Sequence, residues 1–457
     1  MKKVSVKLIL LFMCFVGFST IAQNKKWTLR ECVDYAIKNN ISIKQSELDL
    51  ETTAIGKNTA IGSFLPNLNA NASHSWNIGL NQNITTGLLE NQTTQFTSAG
   101  LNSNITIYNG LQNQNRLRKA NLSIIAAQYQ VAKMKDDISL NVANAFLQIL
   151  FNKENLKVQK EQLANDEKQQ IRSEELVAAG VVARGDLLDV KATVALDKQK
   201  VIAAENSLFL SNLSLVQLLQ IEDFQTFEIA EVDYPATSSP TMLEKPENIV
   251  AKAKQDRVEL KIAKANLELA QKDVKIAKGA FQPSLTGFYS FSSRVSYADR
   301  IVGFEANGTP ILTGPLSFMD QISNNKGHNF GVQLNIPILN GFSAKNNLDR
   351  FKVELERSKI NEKQVVLDLE RNVYTAITNA KSALNSYESA IAAFDSRNEA
   401  YVYAKEKYAV GLMNSFDFAQ SQTLYTNAQS EVLRTKYDYI FKVKVVEFYF
   451  GIPIIEK

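Results

Sequence analysis

The chain of 457 residues carries 51 Lys and Arg against 47 Asp and Glu, a formal charge of +4, with only 2 His and 2 Cys. That balance excludes the clustered cations of a nucleic-acid footprint, and so few His and Cys exclude a zinc centre or a disulfide framework. Glycine (19) and proline (9) are scarce while 45% of residues are hydrophobic, so a folded chain built of long uninterrupted elements is expected.

The first segment in chain order is an address. Lys2, Lys3 and Lys7 precede an apolar stretch from Leu8 to Phe18, and Thr20-Ile21-Ala22 offers small residues for cleavage before Gln23. Residues 1–22 therefore read as a secretory signal peptide, too short for a permanent membrane span. Cys14 lies within the apolar stretch behind Leu11, Phe12 and Met13, a poor setting for lipid attachment. Cleavage leaves Cys32 as the sole cysteine, so no intrachain disulfide can form. No later run is expected to make a transmembrane helix.

The mature chain is written twice. A first repeat at 23–230 predicts a helix from Thr28 to Ser63, strands near 67–83 and 98–108, a long helix near 111–178, a tight turn and a helix from Asp186 to Leu219. A linker at 231–246, rich in Ser and Pro around Ser238-Ser239-Pro240, follows. The second repeat at 247–457 predicts a helix from Glu247 to Ala280, strands near 284–297 and 329–339, a long helix near 342–409 and a helix from Asp417 to Phe450. Phe64-Leu65-Pro66 returns as Phe281-Gln282-Pro283, Asn109-Gly110 as Asn340-Gly341, and Ala179-Gly180 as Val410-Gly411. The extra length of the second copy falls around Ala298 to Gly327, a Gly/Asn/Pro-dense stretch expected to be a surface loop.

Apolar spacing explains the long helices. Leu117, Ile124, Val131, Ile138 and Ala145 fall seven apart, and Val373, Ile377, Ala380, Leu384, Tyr387, Ile391 and Phe394 alternate steps of four and three. That is a heptad seam, and at 1.5 Å per residue each helix would run about 100 Å. The two short helices of each copy together match this length and could lie end to end along it.

The strands have period two. Phe330, Val332, Leu334, Ile336 and Ile338 alternate with polar residues, and Ala99, Leu101, Ile105 and Ile107 alternate with Asn and Thr. A half-buried soluble sheet and an outer-membrane barrel both fit one apolar and one uncharged polar face. The signal peptide and strand lengths near 10 residues favour the barrel. Four strands cannot close, and an open edge is intolerable in lipid, whereas three copies would supply twelve strands.

Two stretches carry a family resemblance. Trp27-Thr28-Leu29-Arg30-Glu31-Cys32-Val33-Asp34-Tyr35-Ala36 is similar to the opening motif of the TolC family of outer-membrane efflux proteins. Tyr408-Ala409-Val410-Gly411-Leu412-Met413-Asn414-Ser415-Phe416-Asp417-Phe418 is similar to its tip motif. The resemblance covers essentially the whole mature chain. It implies a mainly α fold with β: duplicated helix–β-hairpin–long-helix halves, a trimeric twelve-stranded outer-membrane barrel and a long periplasmic α-helical barrel. It also implies a homotrimer in outer-membrane lipid, a periplasmic adapter and an inner-membrane pump as partners, and efflux or type I secretion as the task.

The turns that reverse the long helices are the candidate site. Capping alone accounts for their glycines, and for their aspartates as caps of the following helices. The resemblance adds adapter docking at Gly180, Val181, Gly411, Leu412, Met413 and Ser415, and an acidic constriction at Asp417, with Gln420 departing from the family's second acidic position. Asp186 and Asp189 supply acids in the other copy, and threefold repetition would raise their pKa values and attract cations. Arg184 and Tyr408 are candidate ties holding the tip closed. No catalytic constellation, cofactor site or phosphate loop is expected, and His74 and His328 lack a second ligand at metal spacing. The competing readings are a soluble periplasmic coiled-coil adapter or scaffold, and a porin or adhesin. The cargo is not written in the residues.

Overall fold

The computed structural model describes residues 26–83, 87–222, 224–232, 234–236 and 239–453. The expected signal peptide at 1–22, and residues 233, 237 and 238 of the expected linker, lie outside them.

The first copy opens with a short strand β1 (Lys26–Trp27) and helices α1 (Leu29–Asn39) and α2 (Ile41–Gly62). A hairpin of β2 (Asn69–Gln82) and β3 (Leu89–Asn109) follows. Next come α3 (Gln112–Ala178, 67 residues), α4 (Arg184–Leu219, 36 residues) and a short β4 (Glu228–Ile229). The second copy holds α5 (Pro246–Asp256), α6 (Val258–Gly279) and β5 (Ser284–Ser296). An inserted hairpin of β6 (Arg300–Phe304) and β7 (Pro310–Thr313) and a short α7 (Phe318–Asn324) precede β8 (Gly327–Asn335). It closes with α8 (Ser343–Ala409, 67 residues) and α9 (Ser415–Phe450, 36 residues).

Four expectations need correction. The helices expected over 28–63 and 247–280 each break in two, at Asn40 and Arg257. Both residues adopt extended backbone, with ψ 130 and ψ 132. Asn40 accepts from Ser42 N at 2.9 Å, starting α2, and donates to Leu218 O at 2.8 Å. Arg257 is only 6% exposed; it binds Glu259 Oε1 at 2.8 Å, lies 3.4 Å from Asp136 Oδ2 and caps the Phe448 ring at 3.9 Å. An amide in one copy and a guanidinium in the other thus secure the same break. The second strand begins at Leu89 rather than 98, because Leu89 to Phe96 pair with the far end of β2. The expected loop after Ala298 contains β6, β7 and α7, and β1 pairs in parallel with β4.

The fourth correction concerns α4, which is long and apolar enough to cross a membrane by length and composition. Its apolarity serves two faces instead of one. Val190, Val194, Val201, Ala204 and Leu215 are buried, while Leu188, Leu196, Ile202, Phe209 and Leu213 form a second stripe, 40–66% exposed. Helix α8 likewise keeps Val353, Ile360, Leu367 and Tyr374, seven apart, on an exposed stripe.

The described residues fall into two compact units, each drawing on both copies. The first comprises residues up to 48, 129–260 and 364 onward. Its core packs Cys32, Val33, Ala36 and Ile43 on Phe146, Ile149, Leu215 and Leu219. The same arrangement recurs with Ile249, Val250 and Ala253 on Val373, Ile377, Ala380 and Val446. Thr28 begins α1 with a capping box, accepting from Glu31 N while Glu31 accepts from Thr28 N at 2.9 Å.

The second unit, 49–128 and 261–363, contains an antiparallel sheet in the order β2-β3-β5-β8. Aligning Pro66 with Pro283 and Asn109 with Asn340 superposes the registers: Ser73 faces Ser98 in one hairpin, and Ser290 faces Asn329 in the other. One face is a polar ladder, with Asn102 donating to Asn71 and accepting from Ser290, both at 2.8 Å. Alternate positions present Trp76, Ile78, Leu80, Phe330, Val332 and Leu334, each at least 60% exposed. The outer edges of β2 and β8 have no partner strand among the described residues. The Asn-Gly repeats mark entry to the long helices, where Gly110-Leu111 and Gly341-Phe342 are consecutive positive-φ pairs. A Cβ on Gly110 would lie 2.2 Å from the Gly279 carbonyl oxygen, so the two backbones meet only as glycines.

Candidate functional site

The tips are built by helix-ending chemistry. Gly180 (φ 71) and Gly411 (φ 79) are left-handed residues that stop α3 and α8. Val181 N donates to Leu176 O at 2.9 Å and Gly180 N to Val177 O at 3.0 Å, as Leu412 N does to Lys407 O at 2.8 Å and Gly411 N to Tyr408 O at 3.1 Å, the paired bonds of two Schellman turns. Val181 (68%) and Leu412 (79%) consequently project into solvent, and Gly180 and Gly411 are exposed beside them.

The caps differ from expectation. Asn414, not Asp417, is the N-cap of α9; its Oδ1 accepts from Asp417 N at 2.7 Å and its Nδ2 donates to Asp417 Oδ2 at 2.9 Å. Ala183 occupies the cap position of α4 and its methyl group makes no cap hydrogen bond, while Asp186 sits in the first turn. An acid there is favoured by the helix dipole. Asp417 and Asp189 are exposed, Asp186 is half-buried, and Met413 is half-buried against the turn.

The structure brings the two tips together through Ser415, which is buried and donates to Asp186 Oδ1 at 3.2 Å. Tyr408 participates in a second tie: Gln169 Nε2 donates to its hydroxyl at 2.6 Å, and Arg172 reaches Ala409 O at 3.5 Å. Arg184, the other expected tie, is exposed and meets no acid among the described residues of its own chain. Asp189 is not drawn into either contact.

Aromatic stacking supports Tyr408 from behind. Its ring lies 4.6 Å from Phe418 at 5°, Tyr401 stacks on Tyr425 at 4.8 Å, and Phe394 meets Tyr425 at 5.6 Å. The heptad seam through Phe394 continues in the same register: Phe394, Tyr401 and Tyr408 fall seven apart on α8, as do Phe418 and Tyr425 on α9. Gln169 and Arg172 carried no comparable signal. Among the described residues no cluster of three or more His, Cys, Asp or Glu is arranged to hold a metal ion.

The matches to known proteins extend through both copies and both tips. The model of the family described as outer membrane efflux protein matches residues 32–219 and 249–443. The chain belongs to that family. The cation efflux system protein CusC of Escherichia coli K12 is 23% identical over 357 residues, 76% of this chain and 70% of that protein. The pyoverdine export outer membrane protein OpmQ of Pseudomonas aeruginosa is 24% identical over 280 residues, 61% of this chain and 52% of that protein. The fold is shared with the Campylobacter jejuni CmeC outer membrane channel, at a TM-score of 0.75 and 20% identity over 94% of this chain and 86% of that one. The membership makes this efflux protein an outer-membrane duct with a large helical periplasmic portion, rather than an enzyme or a soluble coiled-coil adapter.

Proposed function

We propose that three copies of this chain assemble into the outer-membrane exit duct of a tripartite exporter. In this reading a periplasmic adapter docks on the exposed turns, and an inner-membrane pump supplies energy and selects cargo. The unfinished sheet carries the reading. Within the chain β3 pairs with β5, the second strand of one copy with the first strand of the next. Continuing that alternation pairs β8 with β2 of a neighbouring subunit, and closure removes the edges that lipid cannot satisfy. The exposed stripes of α4 and α8 supply complementary helical faces for the same contact. Twelve strands then enclose a lumen lined by the Asn and Ser ladder.

The register follows from the duplication. Asn102 faces Ser290 within the chain, so its equivalent Gln333 should face the neighbour's equivalent of Ser290, which is Ser73. Cysteines at Ser73 and Gln333 should cross-link under mild oxidation into dimers and trimers, whereas either cysteine alone should not. Monomer-only products from the double variant would refute the assembly.

At the tip, Val181, Leu412 and Met413, with Gly180, Gly411 and Ser415, form the adapter-facing surface of this proposal. Asp186, Asp189 and Asp417 repeat threefold around the opening and favour cations there. The named relatives export chemically different cargo, a cation and pyoverdine, which supports leaving selection to the pump.

A further inference from the structure

The seam of α4 runs Val190, Val194, Asp197, Val201, Ala204, with a carboxylate at one of its buried positions. Asp197 is 2% exposed, and it faces Asp166 of α3, which is 3% exposed. Their other partners are accounted for. Asp197 Oδ1 pairs with Lys200 Nζ at 2.9 Å, and Asp166 Oδ2 accepts from Gln162 Nε2 at 2.8 Å. Gln422 of α9 adds a second bond to Asp166, and Thr426 donates to Gln162 Oε1 at 2.8 Å. Asp197 Oδ2 alone is buried with no donor. Two buried carboxyl groups in contact need a hydrogen between them, since an unsatisfied buried oxygen is costly and two adjacent anions more so.

We infer that Asp166 and Asp197 share one proton and form a latch between α3 and α4 that releases as the pH rises. A protonated Asp166 donates to the vacant Asp197 Oδ2, leaving the single negative charge on the carboxylate paired with Lys200. Loss of that proton leaves two anions facing each other across the seam. The groups around them do not cancel the effect. Lys200 is committed to Asp197, Tyr401 of α8 is neutral and faces Asp166, and Tyr425 of α9 stacks behind it. The Glu167–Lys198 pair lies on the solvent flank.

Burial first, then the hydrogen bond and charge of Asp197, push Asp166 up to about 7, against the opposing bonds from Gln162 and Gln422. In the unfolded chain it returns to its usual 3.8. Between those values the folded hairpin holds a proton that the unfolded chain has released, so its stability falls as the pH climbs through that window. The latch therefore tightens on acidification, the reverse of an ion pair.

The test uses the assembled full-length protein in detergent, with hydrogen exchange of peptides covering Gln162–Gln169 and Val194–Lys200 at pH 6 and pH 8, after correction for intrinsic exchange rates. Linkage predicts about tenfold more frequent opening at pH 8 in the wild type. Asp166→Asn donates an amide hydrogen to Asp197 at every pH, and its opening should not change between the two. Asp197→Asn, which donates in the opposite direction, should behave alike and serves should the first variant fold poorly. Equal pH dependence in wild type and both variants would overturn the proposal. So would restored protection at pH 8 on adding millimolar Mg2+ or Ca2+, which would assign the gap to a metal ion.

Discussion

Ser415 Oγ donates to Asp186 Oδ1 at 3.2 Å, joining the first turn of α9 to the first turn of α4. This bond links the helix start that follows Gly411 to the one that follows Gly180, alongside the Gln169–Tyr408 tie between the same two hairpins. Ser415 is 4% exposed, so removing its hydroxyl leaves a gap that water does not readily fill. Ser415→Ala should weaken the contact by about 1 kcal/mol. In planar bilayers the variant should show a higher open probability, and an unchanged record would exclude this bond from any gate at the tip.

Tyr408 combines two roles that substitution can separate. Tyr408→Phe keeps the stack on Phe418 and loses only the acceptor for Gln169. It should raise conductance modestly, whereas Tyr408→Ala should loosen the α8–α9 contact as well. Conductance of the phenylalanine variant equal to the alanine variant would assign the tie wholly to the hydroxyl.

Asp417→Ala should lower the cation selectivity measured by reversal potential in a salt gradient. Asp417 is exposed and bonded only to its own cap, so folding should survive. Unaltered selectivity would place the constriction elsewhere.

Replacing Gly180 and Gly411 by bulky residues tests the docking surface. Each position has positive φ and open space around it, so a side chain costs about 1 kcal/mol of backbone strain and projects outward. The double variant should still trimerise but lose adapter-dependent export. Full export from stable trimers would reject docking at these turns.

Arg257 is the anchor of the second helix break, and its loss should be severe. Arg257→Ala strands Glu259 and Asp136 and uncovers Phe448, a cost of about 3–5 kcal/mol by thermal unfolding. Burial works to raise Glu259, but the bond and charge of Arg257, with smaller help from its backbone and Lys133, hold it below its usual 4.5. Its contribution is therefore present above 4.5 and lost as the pH falls through the lowered value. The wild type should show an acid-dependent loss of melting temperature there that the alanine variant lacks.

The duplication, the long helices and the strands were legible because each has a period that survives divergence: repeats of Pro66 and Pro283, heptads at Val373 to Phe394, alternation at Phe330 to Leu334. Strand β8 nevertheless stops at Asn335, short of the expected 339, just before Pro337, which has no N–H to pair. The breaks at Asn40 and Arg257 were not legible, since the local bonds of Asn40 to Ser42 N and of Arg257 to Glu259 are joined in each case by a partner far away in the chain. Asn40 bonds to Leu218 O and Arg257 to Asp136, contacts that no local pattern encodes. At the site, glycine and serine positions could be read from the turn motif, but the cap role of Asn414 and the Gln169 tie depend on how two hairpins meet. Asp197 was hidden by its chemistry: a carboxylate in an apolar seam reads as a solvated face until its neighbours are known.

The close approach of Gly110 and Gly279 has a counterpart that a single chain leaves open. Gly62 stands where Gly279 stands in the other copy, Gly341 where Gly110 stands, and a Cβ on either would meet nothing within 4 Å. In the proposed trimer these two should come face to face across the subunit boundary. Gly62 ends α2, where alanine is intrinsically the better helix former by about 1 kcal/mol. Gly62→Ala would then improve the isolated subunit and impair the ring, so that natural selection on such a residue acts on the company it keeps and not on its own fold.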